Sequence, residues 1–293
     1  MRCFVGPAVR TLIDLALEED AVGLDATAGA FFSESSPRGA RIVARQALKM
    51  AGGEVARAVF ERVDSRVEWT ARIEDGQSAQ KGDVVARLTG PAASLLLGER
   101  VALNFLQRMC GVATFTAAHV EALGVSTTAV VDTRKTLPGW RQLDKYAVRC
   151  GGGANHRYNL AGGVMVKENH IAAAGGMGAA IERARSVAPH TLRVEVEVER
   201  IDQLEPALEH GAEVILLDNM DNATMVKAVA IIRAHPNGNR VVIEGSGNMD
   251  RSRLATLGQV GLDLVSVGAL THSAPAADLS MRFDEVGDLD EPA

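Results

Sequence analysis

Ala129-Val130-Val131-Asp132-Thr133-Arg134-Lys135 and Val164-Met165-Val166-Lys167 carry one pattern twice, a short apolar run that ends on charged residues. Four further runs follow at Leu192–Val198, Glu213–Leu217, Arg240–Ile243 and Leu262–Val267. Helical segments fit between them at Gly139–Cys150, Met177–Val187, Ile201–His210, Asn222–Ala234 and Asp250–Leu257. Such alternation implies parallel strands joined by right-handed crossovers. Six strands fall short of the eight of a closed (β/α) barrel, so the expected architecture is an open, six-stranded α/β barrel. Reactive residues fall at the strand ends: Asp132–Lys135 after the first, Lys167 after the second, Glu197 and Glu199 closing the third. Asp218 closes the fourth, Glu244-Gly245-Ser246-Gly247 follows the fifth and Gly268-Ala269 the sixth. Loops from neighbouring strands converge at that rim, which carries the active site in barrel enzymes.

The chain bears a formal charge of -6, yet residues 132–170 hold seven Lys and Arg against three acids. Cations beside Gly151-Gly152-Gly153 and at strand ends suit a pocket for a small, multiply anionic ligand. Conversely, residues 193–221 hold nine acids against two Arg. Glu195, Glu197 and Glu199 alternate and so share one strand face. Glu197 with Asp218 reads as a pair facing ribose hydroxyls or Mg²⁺. Glu195 and Glu199 read as a solvated edge or as partners for the basic window. Ser246-Gly247-Asn248 and Gly268-Ala269-Leu270 are read as two glycine loops aiming N–H groups at phosphate. His156 beside Arg157 reads as a ligand contact, and His272 as near phosphate. Lys167 is open to three roles: anion ligand, proton donor or Schiff-base nucleophile.

Before residue 113 the pattern differs. Val9–Glu19 and Ala40–Ala51 have helical apolar spacing, residues 20–39 are loop-rich, and Val55–Val63, Arg66–Ile73 and Val84–Leu88 read as strands. A long helix starts at Pro91. On it, Glu99 and Arg100 read as an internal ion pair or as a cation leaving the helix to meet an anion, and pattern alone favours the pair.

At 293 residues, 47% hydrophobic and 23% charged, the composition is that of a soluble globular protein with a sizeable core. No apolar run approaches the ~18 residues of a membrane span, and Arg10, Asp14 and Glu18 interrupt the first stretch, which is no signal peptide. The three cysteines have neither CxxC nor zinc spacing, which points to a reducing cytoplasm and no structural metal. The acidic balance argues against nucleic acid. Asp284–Ala293 reads as a solvated acidic tail.

Six segments in series, Asp132–Gly139, Gly151–Arg157, Val166–His170, Glu195–Glu199, Leu216–Asn219 and Ser266–Leu270, resemble the quinolinate phosphoribosyltransferase family. The resemblance implies an N-terminal α/β sandwich domain (residues 1–112), an open α/β-barrel catalytic domain (113–270) and a C-terminal segment (271–293) returning to the first domain. It implies transfer from phosphoribosyl pyrophosphate to quinolinate with decarboxylation, giving nicotinate mononucleotide in NAD biosynthesis, with Mg²⁺ and no organic cofactor. By that resemblance Arg134, His156, Arg157 and Lys167 bind quinolinate. Lys135, Glu197, Asp218, Ser246, Gly247, Asn248, Gly268, Ala269 and His272 surround phosphoribosyl pyrophosphate; Lys135, Lys167, Glu197 and Asp218 are the catalytic set. Arg100 then enters the pocket of a neighbouring subunit in a homodimer or larger homo-oligomer, which reverses the ion-pair reading. Tyr158–Gly163 and Asn248 depart from the family pattern without removing a charged ligand. Three rivals stand beside it: a molybdenum-transport-associated paralogue of the fold, a Schiff-base aldolase using Lys167, and a non-catalytic anion binder. The Lys167–His170 segment favours the quinolinate enzyme over the paralogue.

Overall fold

The computed structural model describes residues 3–21, 27 and 37–284. Much of the expected loop 20–39 and nearly all of the acidic tail lie outside the described residues. Two compact units emerge, Met1–Ala117 with Leu137–Gly152 and Ala274–Ala293, and Ala118–Thr136 with Gly153–Ser273.

In the first unit, helix α1 (Pro7–Ala21) precedes strands β1 (Pro37–Ala44) and β2 (Leu48–Lys49), helix α2 (Gly53–Val63), and strands β3 (Glu68–Ala71), β4 (Ser78–Ala79) and β5 (Val84–Pro91). Helix α3 (Ala92–Leu123) leaves this unit, and α4 (Arg141–Cys150) and β12 (Leu279–Phe283) rejoin it. Antiparallel pairing gives the order β12-β1-β5-β3, with β2 and β4 as a separate ladder.

Three expectations fail here. Ala40–Ala51 has helical spacing but forms β1 and β2. Strand β1 is bonded on both edges, Ala40 facing Phe283 on one side and Leu88 on the other, and Ala40, Ile42 and Ala44 are fully buried. A partner some 240 residues downstream decides the conformation, which no local window contains. Val55–Val63 is helix α2 rather than a strand. Its buried residues are Val55, Ala56, Val59 and Phe60, the spacing of one helical stripe. Its start is fixed by Asp75, whose carboxylate accepts the amides of Gly52 (2.9 Å) and Gly53 (3.1 Å). Pro91 ends β5 instead of opening the helix.

The second unit contains β6 (Ala129–Val131), β7 (Val164–Val166), helices α5 (Glu168–Ala174) and α6 (Met177–Val187), β8 (Val194–Val198), α7 (Leu204–Glu209) and β9 (Val214–Asp218). It continues with α8 (Asn222–Ala234), β10 (Val242–Ser246), α9 (Arg251–Leu254), β11 (Leu264–Ser266) and α10 (Ala269–His272). All six strands are parallel in the order β6-β11-β10-β9-β8-β7. The ring is open, as expected: β6 and β7 are its two ends. At the opening, Ala154 bridges to Val131, giving its amide to the Val130 carbonyl at 2.8 Å. No helix among the described residues is long and apolar enough to cross a membrane.

Candidate active site

Side chains two apart on a strand share a face, so the ring interior collects Met165 and Lys167, Glu195 and Glu197, Leu216 and Asp218, Glu244 and Ser246. At the C-terminal ends of the strands lies a cavity of about 340 Å³, all of whose lining belongs to the second unit. Thr133, Arg134, Lys135, His156, Arg157 and Lys167 line it together with Met165, Glu197, Leu216, Asp218, Glu244, Ser246 and Ser266.

Strand order sorts this wall by charge. Arg134 and Lys135 follow β6, Arg157 sits on the segment beside it, and Lys167 follows β7, so every cation flanks the opening of the ring. The carboxylates Glu197 and Asp218 end β8 and β9, farther round. Lys167 Nζ binds Glu197 Oε2, and the Lys167 amide donates to His170 Nδ1 at 3.0 Å at the start of α5. Arg157 donates to the Gly163 carbonyl at 2.8 Å. Burial and then the nearby Arg134 lower its pKa, since two guanidinium groups facing one cavity raise its positive potential. An anion with two carboxylates relieves that repulsion.

Asp132, fully buried, sets the turn that carries His156. Its Oδ1 accepts the His156 amide at 2.9 Å and its Oδ2 accepts Asn155 Nδ2 at 2.6 Å. The His156 ring then has both nitrogens turned to protein groups. Nδ1 accepts the Arg157 amide at 2.7 Å, and Nε2 points to Glu195 Oε2 at 3.4 Å and Glu244 Oε1 at 3.7 Å. Glu195 draws the His156 pKa up, but an amide hydrogen fixed by the main chain occupies Nδ1. The ring proton therefore sits on Nε2. Of the two readings of Glu195, the solvated edge fails and the partner for the basic window holds: Glu195 is 8% exposed and faces His156, and Glu244 is 1% exposed, because both face into the ring beneath the cavity.

The two glycine loops follow β10 and β11. Gly247 has φ +96°, and a Cβ there would stand 2.3 Å from Asn219 Oδ1 and 2.9 Å from Asn219 Cα, so only glycine fits. Asn219 (φ 55°) and Asn248 (φ 48°) share the left-handed conformation, and the Asn219 amide donates to the Ser246 carbonyl at 3.1 Å. Arg253 on α9 ties the loop after β10 to the loop after β9 through the carbonyls of Gly247 and Met220, a role its sequence position does not advertise. At Gly268 a Cβ would lie 3.0 Å from Lys135 Cδ and 3.3 Å from His272 Nε2. Thr271 Oγ1 donates to the Lys135 carbonyl at 2.8 Å. Lys135, Gly268 and His272 thus meet on the rim. Gly247 and Asn248 on the β10 loop, and Ala269 and His272 on α10, border the rim rather than the cavity wall. Arg100 is exposed on α3 in the first unit, and the cavity wall comes wholly from the second. Carboxylate oxygens of Glu197, Glu199 and Asp218 lie within 4.8 Å of one another, an all-oxygen set of the kind Mg²⁺ takes.

Comparisons with known proteins give this geometry a family. Residues 25–110 match the profile of the quinolinate phosphoribosyl transferase N-terminal domain and residues 112–282 that of its C-terminal domain. The probable nicotinate-nucleotide pyrophosphorylase (carboxylating) of Bacillus subtilis is 41% identical over 265 residues, covering 90% of this chain and 89% of that one. The human nicotinate-nucleotide pyrophosphorylase (carboxylating) is 39% identical over 275 residues, covering 93% and 90%. The crystal structure of NadC from Streptococcus pyogenes matches with a TM-score of 0.90 at 40% identity, over 96% of this chain and 98% of that one. With both domain profiles matched in series and full-length relatives near 40% identity, the chain belongs to the quinolinate phosphoribosyltransferase family.

Proposed function

We propose that this protein transfers the phosphoribosyl group of phosphoribosyl pyrophosphate to the ring nitrogen of quinolinate and releases CO2, forming nicotinate mononucleotide and pyrophosphate for NAD biosynthesis. The observation that carries this reading is the sorting of one cavity by strand order, cations at the opening and carboxylates farther round. A pyridine dicarboxylate and a sugar pyrophosphate repel each other, so cations must hold both at once. Arg134, Arg157 and Lys167 take the dicarboxylate, with His156 closing the floor beneath the ring. Lys135, Ser246, Gly247, Asn248, Gly268, Ala269 and His272 take the phosphate groups.

As pyrophosphate departs, the ribose C1 gains oxocarbenium character, which Glu197 and Asp218 stabilise electrostatically. Mg²⁺, held by Glu197 and Asp218 with pyrophosphate oxygens, would offset the charge of the leaving group. The new N-glycosidic bond makes the ring nitrogen cationic, and that charge accepts the electron pair freed when the neighbouring carboxylate leaves as CO2. The chemistry asks for no organic cofactor.

Arg100 completes the pocket of a second copy of the chain: it is exposed and stands in the unit that contributes nothing to the cavity wall. Mixing Arg100→Ala and Lys167→Ala proteins should then restore part of the activity that each lacks. Three free, buried cysteines suit a reducing cytoplasm.

The deciding assay is CO2 release from quinolinate, dependent on phosphoribosyl pyrophosphate and Mg²⁺. Activity on nicotinate instead would overturn the substrate, and binding without pyrophosphate release would leave only an anion binder. Lys167 is half-exposed and bonded to Glu197 rather than set in an apolar pocket, which disfavours a Schiff-base aldolase. Borohydride trapping would reveal one.

A further inference from the structure

Loss of CO2 leaves an electron pair on the ring carbon, and the product carries hydrogen there, so the reaction needs a proton donor. The cations at the rim are occupied with carboxylate and phosphate groups, and Glu197 and Asp218 serve best as anions. Glu244 differs from all of them. It lies in the middle of β10, between Leu216 of β9 and Leu264 of β11, where an interior parallel strand is normally apolar. Its side chain borders the substrate cavity, yet the residue is 1% exposed.

Two further observations point to proton traffic. Oε1 of Glu244 and Oε1 of Glu195 are buried and make no hydrogen bond, a costly arrangement for charged oxygens. Glu244, Glu195 and His156 also border a second cavity of about 340 Å³ that opens toward the strand N-termini past Leu192, Val214 and Val242. Glu244 therefore touches the substrate cavity on one side and a separate opening on the other.

We propose that Glu244 is the general acid that protonates the ring carbon vacated by CO2, with the Glu195 carboxyl beside it, His156 as the hinge between them, and the lower cavity as the route by which solvent restores the proton. This rests on the function proposed above. The bond from ring carbon to carboxylate breaks, its electron pair stays on carbon beside the cationic nitrogen, and CO2 departs. That pair takes the carboxyl hydrogen of Glu244 as hydron, leaving a carboxylate, which a solvent proton then neutralises. The net change is one solvent proton in place of CO2.

The surroundings of Glu244 suit the role. Burial first, and then the charge of Glu195 on β8, push its pKa up to about 7, against the opposing pulls of His156 and of the Ser266 hydroxyl on β11. Arg157 is the remaining charge on the segment that carries His156. An acid poised near neutral pH is matched to its task.

The test separates the two half-reactions in single turnover, following pyrophosphate release and nicotinate mononucleotide formation from pH 5.5 to 9. In the unaltered protein, product formation should fall above about pH 7 while pyrophosphate release does not, and the carboxylated mononucleotide should accumulate. Glu244→Gln should lower product formation at least tenfold, lower pyrophosphate release far less, and abolish the alkaline limb; Glu244→Asp should restore part of it. Equal losses in both half-reactions, or an unchanged pH profile in Glu244→Gln, would overturn the proposal. So would a constant ratio of the two products across pH in the unaltered protein, a result that needs no variant to fold. Absence of both pyrophosphate and CO2 in the unaltered protein would instead sink the function itself.

Discussion

Glu195 and Glu197 stand two residues apart on one strand and face the same way, yet they live in different media. Glu197 ends β8 at the rim, where Lys167 Nζ meets it and solvent reaches both. Glu195 lies one layer deeper, 8% exposed, with one oxygen unpaired and a second carboxyl opposite. At the rim the effective dielectric is high and an ion pair meets water at little cost. At the floor, charge is expensive, and burial together with the neighbouring Glu195 pushes the Glu244 carboxyl up. Alternation places both side chains in the ring, and depth along the strand decides what each can do.

The largest effect should come from breaking the rim. Lys167→Ala removes a cation at the opening and leaves Glu197 unopposed. Loss of one preorganised charge contact of this kind costs on the order of 10²–10³ in rate, about 3–4 kcal/mol. Quinolinate-dependent CO2 release should fall by that factor in kcat/KM. Near-normal values of both kcat and KM would remove Lys167 from the site.

The floor should register in stability. The Glu244 carboxyl is raised from 4.5 to about 7, so the folded state holds its proton longer than the unfolded chain does. The associated stability is complete below about pH 4.5 and is lost as pH rises through about 7. A rise of that size corresponds to about 3 kcal/mol. Urea denaturation at pH 5, 6.5 and 8 should show the unaltered protein weakening by about that amount relative to Glu244→Gln, which has no proton to lose. Parallel pH dependences would erase the contrast between rim and floor.

These two layers were not equally legible in the sequence. The rim residues follow short β-branched runs and lie in motifs, so strand ends alone brought Arg134, Lys167, Glu197 and Asp218 to one place. Helices α6 and α8 matched the spacing to the residue, the latter with a local cap, Asp221 accepting the Thr224 amide at 2.7 Å. The floor was hidden because alternation tells which residues share a face and not how deep they sit. Glu195 read as a solvated edge or as a partner for the basic window, and Glu244 looked like the flank of a glycine loop. A Glu-Val-Glu-Val-Glu strand buried on both faces would have forced the question, had burial been known. In the first unit the misreadings have another cause, since β1 depends on β12 and the start of α2 on Asp75. Both partners are distant in sequence, and neither leaves a mark on the local pattern.

Asp132 links the layers, and its loss should be intermediate. It is fully buried and accepts from the His156 amide and from Asn155. Asp132→Ala would strand two donors at the ring's opening, costing about 2 kcal/mol and letting the His156 turn drift. Thermal denaturation should show the loss, and KM for quinolinate should rise more than KM for phosphoribosyl pyrophosphate. The reverse order would place His156 on the other substrate.

Glu199 extends the series one step outward and should give the smallest effect. It follows β8, is exposed, and its main-chain amide is capped by Gln203 Oε1 at 2.8 Å, so the strand end does not depend on its carboxylate. Exposed to water, its charge is screened to well under ~1 kcal/mol. Glu199→Gln should change stability by less than about 0.5 kcal/mol and kcat/KM by less than about threefold. Its oxygens do come within 4.8 Å of those of Glu197 and Asp218, which makes the Mg²⁺ dependence the sharper measurement. A half-saturating Mg²⁺ concentration that rises tenfold in Glu199→Gln would draw this exposed residue into the rim. An unchanged one confines the work of β8 to its two inner glutamates, the outer bonded to a lysine and the inner facing the buried Glu244 carboxyl.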